Sequence, residues 1–501
     1  MKAAVSLAAA PDPGGIQAAI ERFLRTSRQP SILEPGDPLL DLTADNYALT
    51  LQGGRLTLQA WTETRNLVRQ VTGIGIERRG RLELMVEHFA RRPGRLWLVD
   101  RAAPGSEQVE RRGDRLVFRE RFRRFLSRQY PGWKLVELST EADLEHTLSP
   151  AYPRAFLRRG QAGLAAIAVA AGADPTGALA FGLIWLDYLR RRERRLAVDR
   201  LVLLLPAGSE AHTCHRLRFL DPARAACELF AYSPENDYAV RRDPNEYTNL
   251  DTRLDPVRQT PGEARAWADR IAGSGAIEQV EMIDGTISLR VRGLEFARTT
   301  GQELLFGLHQ RAAAREYNLG EVERLAAELA RLRPASGGDR AHPLCARSPE
   351  AWLESAVRAQ IEIVDPSLRA APLYSQAPAC AGGARGILDL LAVDRAGRLA
   401  VVEVKASSDL HLPLQALDYW MRVKWHLDRG EFTARGYFPR IELRPEPPRL
   451  LLVSPALDFH PTTETLLQCI SDQVEVERIG VNTPWREGLQ VMFRLRGAAR
   501  P

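Results

Sequence analysis

A chain of 501 residues is about three times the usual domain length, so two to four domains are expected. With 45% hydrophobic and 26% charged residues it is no disordered or fibrous chain, and no apolar run reaches the roughly 18–20 residues of a membrane span. The net charge of +6 tolerates a polyanionic partner without requiring one.

Residues 1–112 open with an amphipathic helical stretch, IQAAIERFL. The alternating runs YALTLQ, RLTLQAW, RLELMVEHF and RLWLVDR follow between glycine-bearing turns. Period-two alternation of this kind predicts an antiparallel meander, and hence a β-rich N-terminal domain. Residues 114–235 change character. FRERFRRFLSRQY is helical, with Phe118, Phe122 and Phe125 on one face, and WKLVELS and GLAAIAVAA are strands. ALAFGLIWLDYLRR is a mostly buried helix and VDRLVLLLPAG a buried strand, which makes this an α/β domain. A linker rich in turn formers begins at SPENDY and runs to about residue 262.

Residues 262–335 form a small α/β segment with a hairpin around Asp284-Gly285. Residues 348–501 form the last domain. Ser348 serves as N-cap and Pro349 as first helical residue of PEAWLESAVRAQIEI. Strands ILDLLAV and LAVVEVKA, the helix LPLQALDYWMRVKWHL, the strand RLLLVSPAL, a helix near 463–470 and two closing strands complete it. The fold class is therefore α/β with mixed sheets. Five scattered cysteines (Cys214, Cys227, Cys345, Cys380, Cys469) without a C-x-x-C pair read as reduced thiols, and the cytoplasm is the expected location. His212, Cys214 and His215 have metal-binding chemistry but no second cluster at zinc spacing. The absence of G-x-x-x-x-G-K-[ST] argues against ATP-driven activity within the chain.

One stretch, GILDLLAVDRAGRLAVVEVKASSD, places Asp389, Glu403 and Lys405 in two runs otherwise suited to a buried hairpin. Strand side chains at i and i+2 share a face, so Glu403 and Lys405 point the same way and Val404 the other. Pairing across the turn VDRAGR brings the Asp389 and Glu403 carboxylates within a few ångströms. Two such groups repel unless a cation or a proton lies between them. Mg²⁺ suits the pair, because it takes hard oxygen ligands, keeps waters and is completed by phosphate. An ordinary exposed face of an edge strand is the alternative reading.

This arrangement, D-x13-E-x-K with Leu388 in the place of the name-giving proline, resembles the PD-(D/E)xK nuclease superfamily with its restriction-endonuclease-like fold. Glu354 on the opening helix matches the acidic residue many members place there. Gln415 and Tyr419 in QALDY match the Q-x-x-x-Y signature of the RecB-like branch. The resemblance spans about residues 345–455. It implies Mg²⁺- or Mn²⁺-dependent hydrolysis of phosphodiester bonds, with DNA as the expected nucleic-acid partner. Asp389 and Glu403 would hold the metal with the Val404 carbonyl and Glu354, Lys405 would aid the attacking water, and Gln415 and Tyr419 would position substrate. A non-catalytic nucleic-acid-binding or assembly protein that keeps this fold is the competing expectation, and a homo-oligomer is compatible with both.

Aligned on Asp174 and Asp409, AAIAVAAGAD lies over AVVEVKASSD, which sets Ala168 against Glu403 and Ala170 against Lys405. Arg154 falls where Asp389 would map. L-D-Y recurs at 186–188 and 417–419, and the strands RLVLLLPA and RLLLVSPA follow. Residues 114–210 thus read either as a degenerate second copy, inert in catalysis and free for DNA binding or dimer contacts, or as a separate α/β unit whose likeness is that of α/β units in general. Its arginines, in RRRERR from Arg190 to Arg195 on one helix and Arg119, Arg121, Arg123 and Arg124 on another, read either as phosphate-neutralising faces or as ordinary solvated helix faces.

Overall fold

The computed structural model describes residues 12–497 except 35–39, 44–45, 53, 63–64, 79, 89–91, 101–107, 144, 234–237, 274–275, 302, 335–341 and 382–383. At 62, 65–66, 78, 88, 92, 108–117, 346, 376–381 and 384–387 it describes the backbone alone. The chain divides into two compact units, 1–248 and 249–501, and is mixed α/β with several sheets and a β-rich N-terminal region.

The first unit begins with the helix Pro13–Thr26, started by Asp12, whose carboxylate accepts from the Gly15 amide. Its apolar stripe of Ile16, Ile20, Phe23 and Leu24 packs on Leu56, Leu58, Leu84 and Leu98 of a seven-stranded antiparallel sheet. This is the meander expected from alternation. A second, six-stranded sheet follows, made of β1 (Lys134–Ser139), β2 (Arg154–Arg159), β3 (Ala162–Ala168), β4 (Ala197–Pro206), β5 (Ala226–Tyr232) and β6 (Ala239–Arg242). Helix α1 (Gln108–Gln129) precedes it, α2 (Ala178–Arg192) connects β3 to β4, and α3 (Ala211–Leu217) connects β4 to β5.

The second unit contains a five-stranded antiparallel sheet between Glu278 and Ala313, with helices Gly262–Ile271 and Leu319–Leu332 contributing to its core. Its other sheet has seven strands. The pair Thr252–Arg253, from the segment expected as linker, lies at one edge beside β7 (Tyr374–Ala381). Then come β8 (Ala384–Val393), β9 (Leu399–Val404), β10 (Arg449–Pro455), β11 (Val476–Val481) and β12 (Val491–Arg496). Helix α4 (Pro349–Ala359) precedes the sheet, α5 (Leu412–Asp428) connects β9 to β10, and α6 (Thr463–Leu467) connects β10 to β11. Pro349 begins α4 as expected, but Ser348 makes no side-chain cap. Its φ of +50° lies in the left-handed region, not the extended one from which a capping hydroxyl reaches the first turn.

The two mixed sheets share one plan. From β1 to β6 and from β7 to β12, successive pairs run antiparallel, antiparallel, parallel, parallel, antiparallel, with helices at the same two crossovers. An ion pair also recurs in register. Arg200 at the β3–β4 rung with Leu164 meets Glu228, and Arg449 at the β9–β10 rung with Ala400 meets Glu477 at 2.9 Å. These rungs correct the alignment made on Asp174 and Asp409. Glu403 corresponds to Ile167 and Lys405 to Val169, one residue earlier than Ala168 and Ala170, because the loop to Asp174 is one residue longer than the loop to Asp409. Two backbone bonds agree with this register: Val169 N–H donates to Leu204 O, and Lys405 N–H to Val453 O, both at 2.9 Å. Arg154 does occupy the position of Asp389.

Among the described residues, Cys214, Cys227, Cys345 and Cys469 are free thiols, and no helix is long and apolar enough to cross a membrane. The Cys380 side chain lies outside the described residues.

Candidate active site

Strands β8 and β9 form the hairpin that carries the charged residues. Its turn is fixed locally: the Asp394 carboxylate accepts from the amides of Ala396 and Arg398. Gly397 takes φ of +93°, and a Cβ there would meet Glu442 O at 2.2 Å. The apolar residues on one face of the hairpin (Leu390, Ala392, Ala400, Val402, Val404) pack with Trp352, Leu353 and Val357 of α4. The alternate residues, Glu403 among them, face α5.

The last regular rung pairs Leu390 with Val402, so the next step sets Asp389 opposite Glu403. Here the ladder opens. In the first unit the corresponding amide, Ala168 N–H, donates to the Pro153 carbonyl. In the second, Val404 N–H donates to the Asp389 carboxylate at 2.8 Å. Asp389 therefore replaces a backbone acceptor with a charged one and holds its own side chain at the strand junction.

Glu403 is 1% exposed, and its Oε2 has no hydrogen-bond partner. Burial first, and then the facing Asp389, push its pKa well above the ordinary carboxylate range. Part-buried Asp389 is raised to about 7 by desolvation and by Glu354, against the opposing pull of Lys405 and the Val404 amide. Lys405 lies 3.8 Å from Glu403, 3.8 Å from Glu350 and 3.9 Å from Asp409, so close charges surround it at just over hydrogen-bond length. Burial alone would lower its pKa. The carboxylates outweigh that, Glu403 most strongly, and hold the ammonium charged.

Tyr419 and Gln415 sit one turn apart on α5, and Gln415 Nε2 donates to the Tyr419 hydroxyl at 3.2 Å. Burial and then Glu403 raise the tyrosine pKa beyond its ordinary value, so the phenol stays protonated beside the carboxylates. Glu354 is 3% exposed on α4 and lies 3.7 Å from Arg290, a buried guanidinium from the five-stranded sheet. Its charge is felt at Asp389. The residues expected to act together, Asp389, Glu403, Lys405, Gln415, Tyr419 and Glu354, thus share one electrostatic environment, and Val404 enters through its amide.

Sequence reasoning missed Glu350, Asp409 and Arg290. Glu350 carried a signal, since it stands four residues before Glu354 and shares its helix face. Asp409 lies four residues past Lys405 in a loop, and nothing local links Arg290 to α4. In total five carboxylates face two cations here. Leaving one buried charge uncompensated costs about 3–5 kcal/mol. A cluster with this excess of negative charge has the chemistry of a cation site. Among the described residues no three His, Cys, Asp or Glu side chains stand close enough to share a metal ion. Asp389 and Glu403 alone fit an ion that keeps water and takes the rest of its oxygens from phosphate, with the unpartnered Glu403 Oε2 as a ready ligand.

The equivalent place in the first unit has inverted charge. Arg154 is 6% exposed, donates to Glu141 O at 2.7 Å and lies 5.5 Å from the Trp185 ring centroid. Its neighbours at the other site positions are Ile167 and Val169. Tyr188, the counterpart of Tyr419, lies under Arg192, 5.3 Å from the ring centroid. Three of the arginines expected to form phosphate-binding faces have partners within the unit. Arg190 donates to Val198 O and Arg224 O, Arg192 to Glu137 and Glu193, and Arg191 pairs with Asp187. Arginines near a helix C-terminus can hydrogen-bond nearby carbonyls, which leaves their charge less available to a ligand.

Comparison with family models, with curated proteins and with solved structures gives no match to this chain.

Proposed function

We propose that residues 348–501 are a metal-dependent nuclease domain of restriction-endonuclease-like fold that hydrolyses phosphodiester bonds, with DNA the favoured substrate. One observation carries the reading: Asp389 and Glu403 face each other at an opened β-rung, and a buried Glu403 oxygen there has no partner. A fold has no structural use for that pair; a divalent cation does.

Asp389 and Glu403 would hold Mg²⁺ or Mn²⁺, which when bound stabilises charge on the phosphoryl oxygens and favours hydroxide over water. Lys405 stays protonated and offsets negative charge as it grows on the phosphorus. Tyr419, kept as a phenol by burial and by Glu403, would donate its hydroxyl proton to the substrate, and Gln415 fixes that hydroxyl. Arg290 restrains Glu354 and tempers the repulsion at Asp389. The six-stranded sheet of the first unit is a degenerate copy of this fold, with Arg154, Ile167 and Val169 where Asp389, Glu403 and Lys405 stand in the second. Cleavage of plasmid and single-stranded substrates with Mg²⁺ or Mn²⁺ tests the proposal, compared with Lys405→Ala and Asp389→Asn. Equal behaviour of all three proteins would leave a nucleic-acid-binding protein in its place.

A further inference from the structure

Strand β10 carries a hydroxyl that the fold does not use. Ser454 is 0% exposed, and its Oγ has no hydrogen-bond partner. A buried hydroxyl left unpaired carries a desolvation penalty, which Ala or Val at this position would avoid.

Its place follows from the register. Val404 pairs with Val453 on the parallel ladder, and the next rung sets Ser454 beside Lys405. Leu451 and Val453 enter the core with Val402 and Val404, so Leu452 and Ser454 take the opposite face, that of Glu403 and Lys405. Three polar groups therefore lie on one face of two adjacent strands with no direct hydrogen bond among the described residues: Glu403 Oε2, the Lys405 ammonium and Ser454 Oγ. The first unit supplies an internal control. At the three matching positions it has Ile167, Val169 and Leu205, all buried and apolar. The fold is complete without the hydroxyl; Ser454 accompanies the carboxylates and the lysine.

We propose that Ser454 is a substrate-contacting residue whose hydroxyl donates to a non-bridging oxygen of the phosphodiester held beside Lys405. The role rests on the nuclease reading of the site and adds to it a specific hydrogen bond to the phosphate. The hydroxyl and the ammonium then take the phosphate from one side, with Glu403 on the same strand segment as Lys405 and Asp389 on the strand beyond.

The test uses the full chain, wild type and Ser454→Ala, with a fluorescent oligonucleotide. Single-turnover cleavage is measured in Mg²⁺, binding in Ca²⁺, Mn²⁺ affinity by calorimetry, and Tm alongside. Loss of one hydrogen bond to a charged oxygen is expected to slow Ser454→Ala by about tenfold to a hundredfold, with Mn²⁺ affinity maintained and Tm held or raised. Replacing a non-bridging oxygen of the scissile phosphate by sulfur, a weaker acceptor, is expected to slow the wild type more than Ser454→Ala for one of the two stereoisomers. Wild-type rate and affinity in Ser454→Ala would overturn the contact and leave the nuclease standing. A loss of rate that tracks a loss of Tm or Mn²⁺ affinity, with no differential sulfur effect, would also overturn it. A wild type that binds without cleaving, but loses affinity in Ser454→Ala, keeps the contact and removes the nuclease. A wild type that does neither removes both.

Discussion

The six-stranded sheet of the first unit and its counterpart in the second solve one problem in opposite ways. At the junction of the first three strands, one copy places Arg154 over Trp185 and surrounds it with Ile167 and Val169. The other places Asp389 against Glu403 and leaves the resulting repulsion inside the protein. The first copy has built its cation into the chain. The second keeps facing carboxylates buried, and on the proposed reading a divalent ion supplies the missing countercharge. The comparison separates what the fold needs, such as the recurring Arg200–Glu228 and Arg449–Glu477 pairs, from what it merely tolerates.

The sharpest way to break this comparison is to strip each copy in turn. Lys405→Ala and Asp389→Asn are each expected to lower cleavage by about 10²-fold or more, whereas Arg154→Met should leave the cleavage rate unchanged. A rate that falls with Arg154→Met would show that both copies act in catalysis. On the proposed reading, in which only the second unit holds a cation, supercoiled plasmid should pass through a nicked circle before it becomes linear, which a gel time course reads directly.

Next in size are the effects on stability. Arg154→Ala removes a buried guanidinium and its aromatic contact, and is expected to cost about 1–3 kcal/mol in denaturant unfolding. Asp389→Asn should do the reverse and raise Tm in metal-free buffer. The pH dependence has the same origin. The Asp389 pKa is raised from its ordinary 3.8 to about 7, so its contribution to stability is full below about pH 4 and is lost as pH rises through 7. Metal-free protein should therefore lose Tm between pH 5 and 8 by more than Asp389→Asn does, and Mn²⁺ should restore the difference at pH 8. The smallest effect concerns the basic helix end. Were Arg190, Arg192 and Arg194 phosphate-neutralising, Gln at the three positions would flatten the salt dependence of DNA binding. Since Arg190 and Arg192 are held by carbonyls, carboxylates and rings, the slope should instead stay nearly constant while Tm falls.

Local periodicity made much of this legible. The hairpin with Asp389, Glu403 and Lys405, the Gln415–Tyr419 spacing and the helix start at Pro349 are all readable within a window of a few residues. What escaped depends on distant pairings. Strand β2, RAFLRR, has three arginines in six residues and no alternation, so its role as the partner that places Arg154 was not visible. Strand β7, YSQAPACA, contains a proline and small residues that read as loop. The one-residue slip at Ile167 and Val169 came from a loop length that apolar strands do not reveal, because Ala168 and Ala170 fit a buried strand equally well. Arg290 and Ser454 join the site only through sheet registers and packing between segments far apart in sequence.

The opened rung at Val404 has a use beyond geometry. Because that backbone N–H rests on the Asp389 side chain, its proton resonance and its exchange with solvent should follow the ionisation state of that single carboxylate. The polypeptide thus carries its own reporter, legible by NMR without label chemistry at the pocket, and titration of that one signal would tell a protonated aspartic acid from one engaged by an ion.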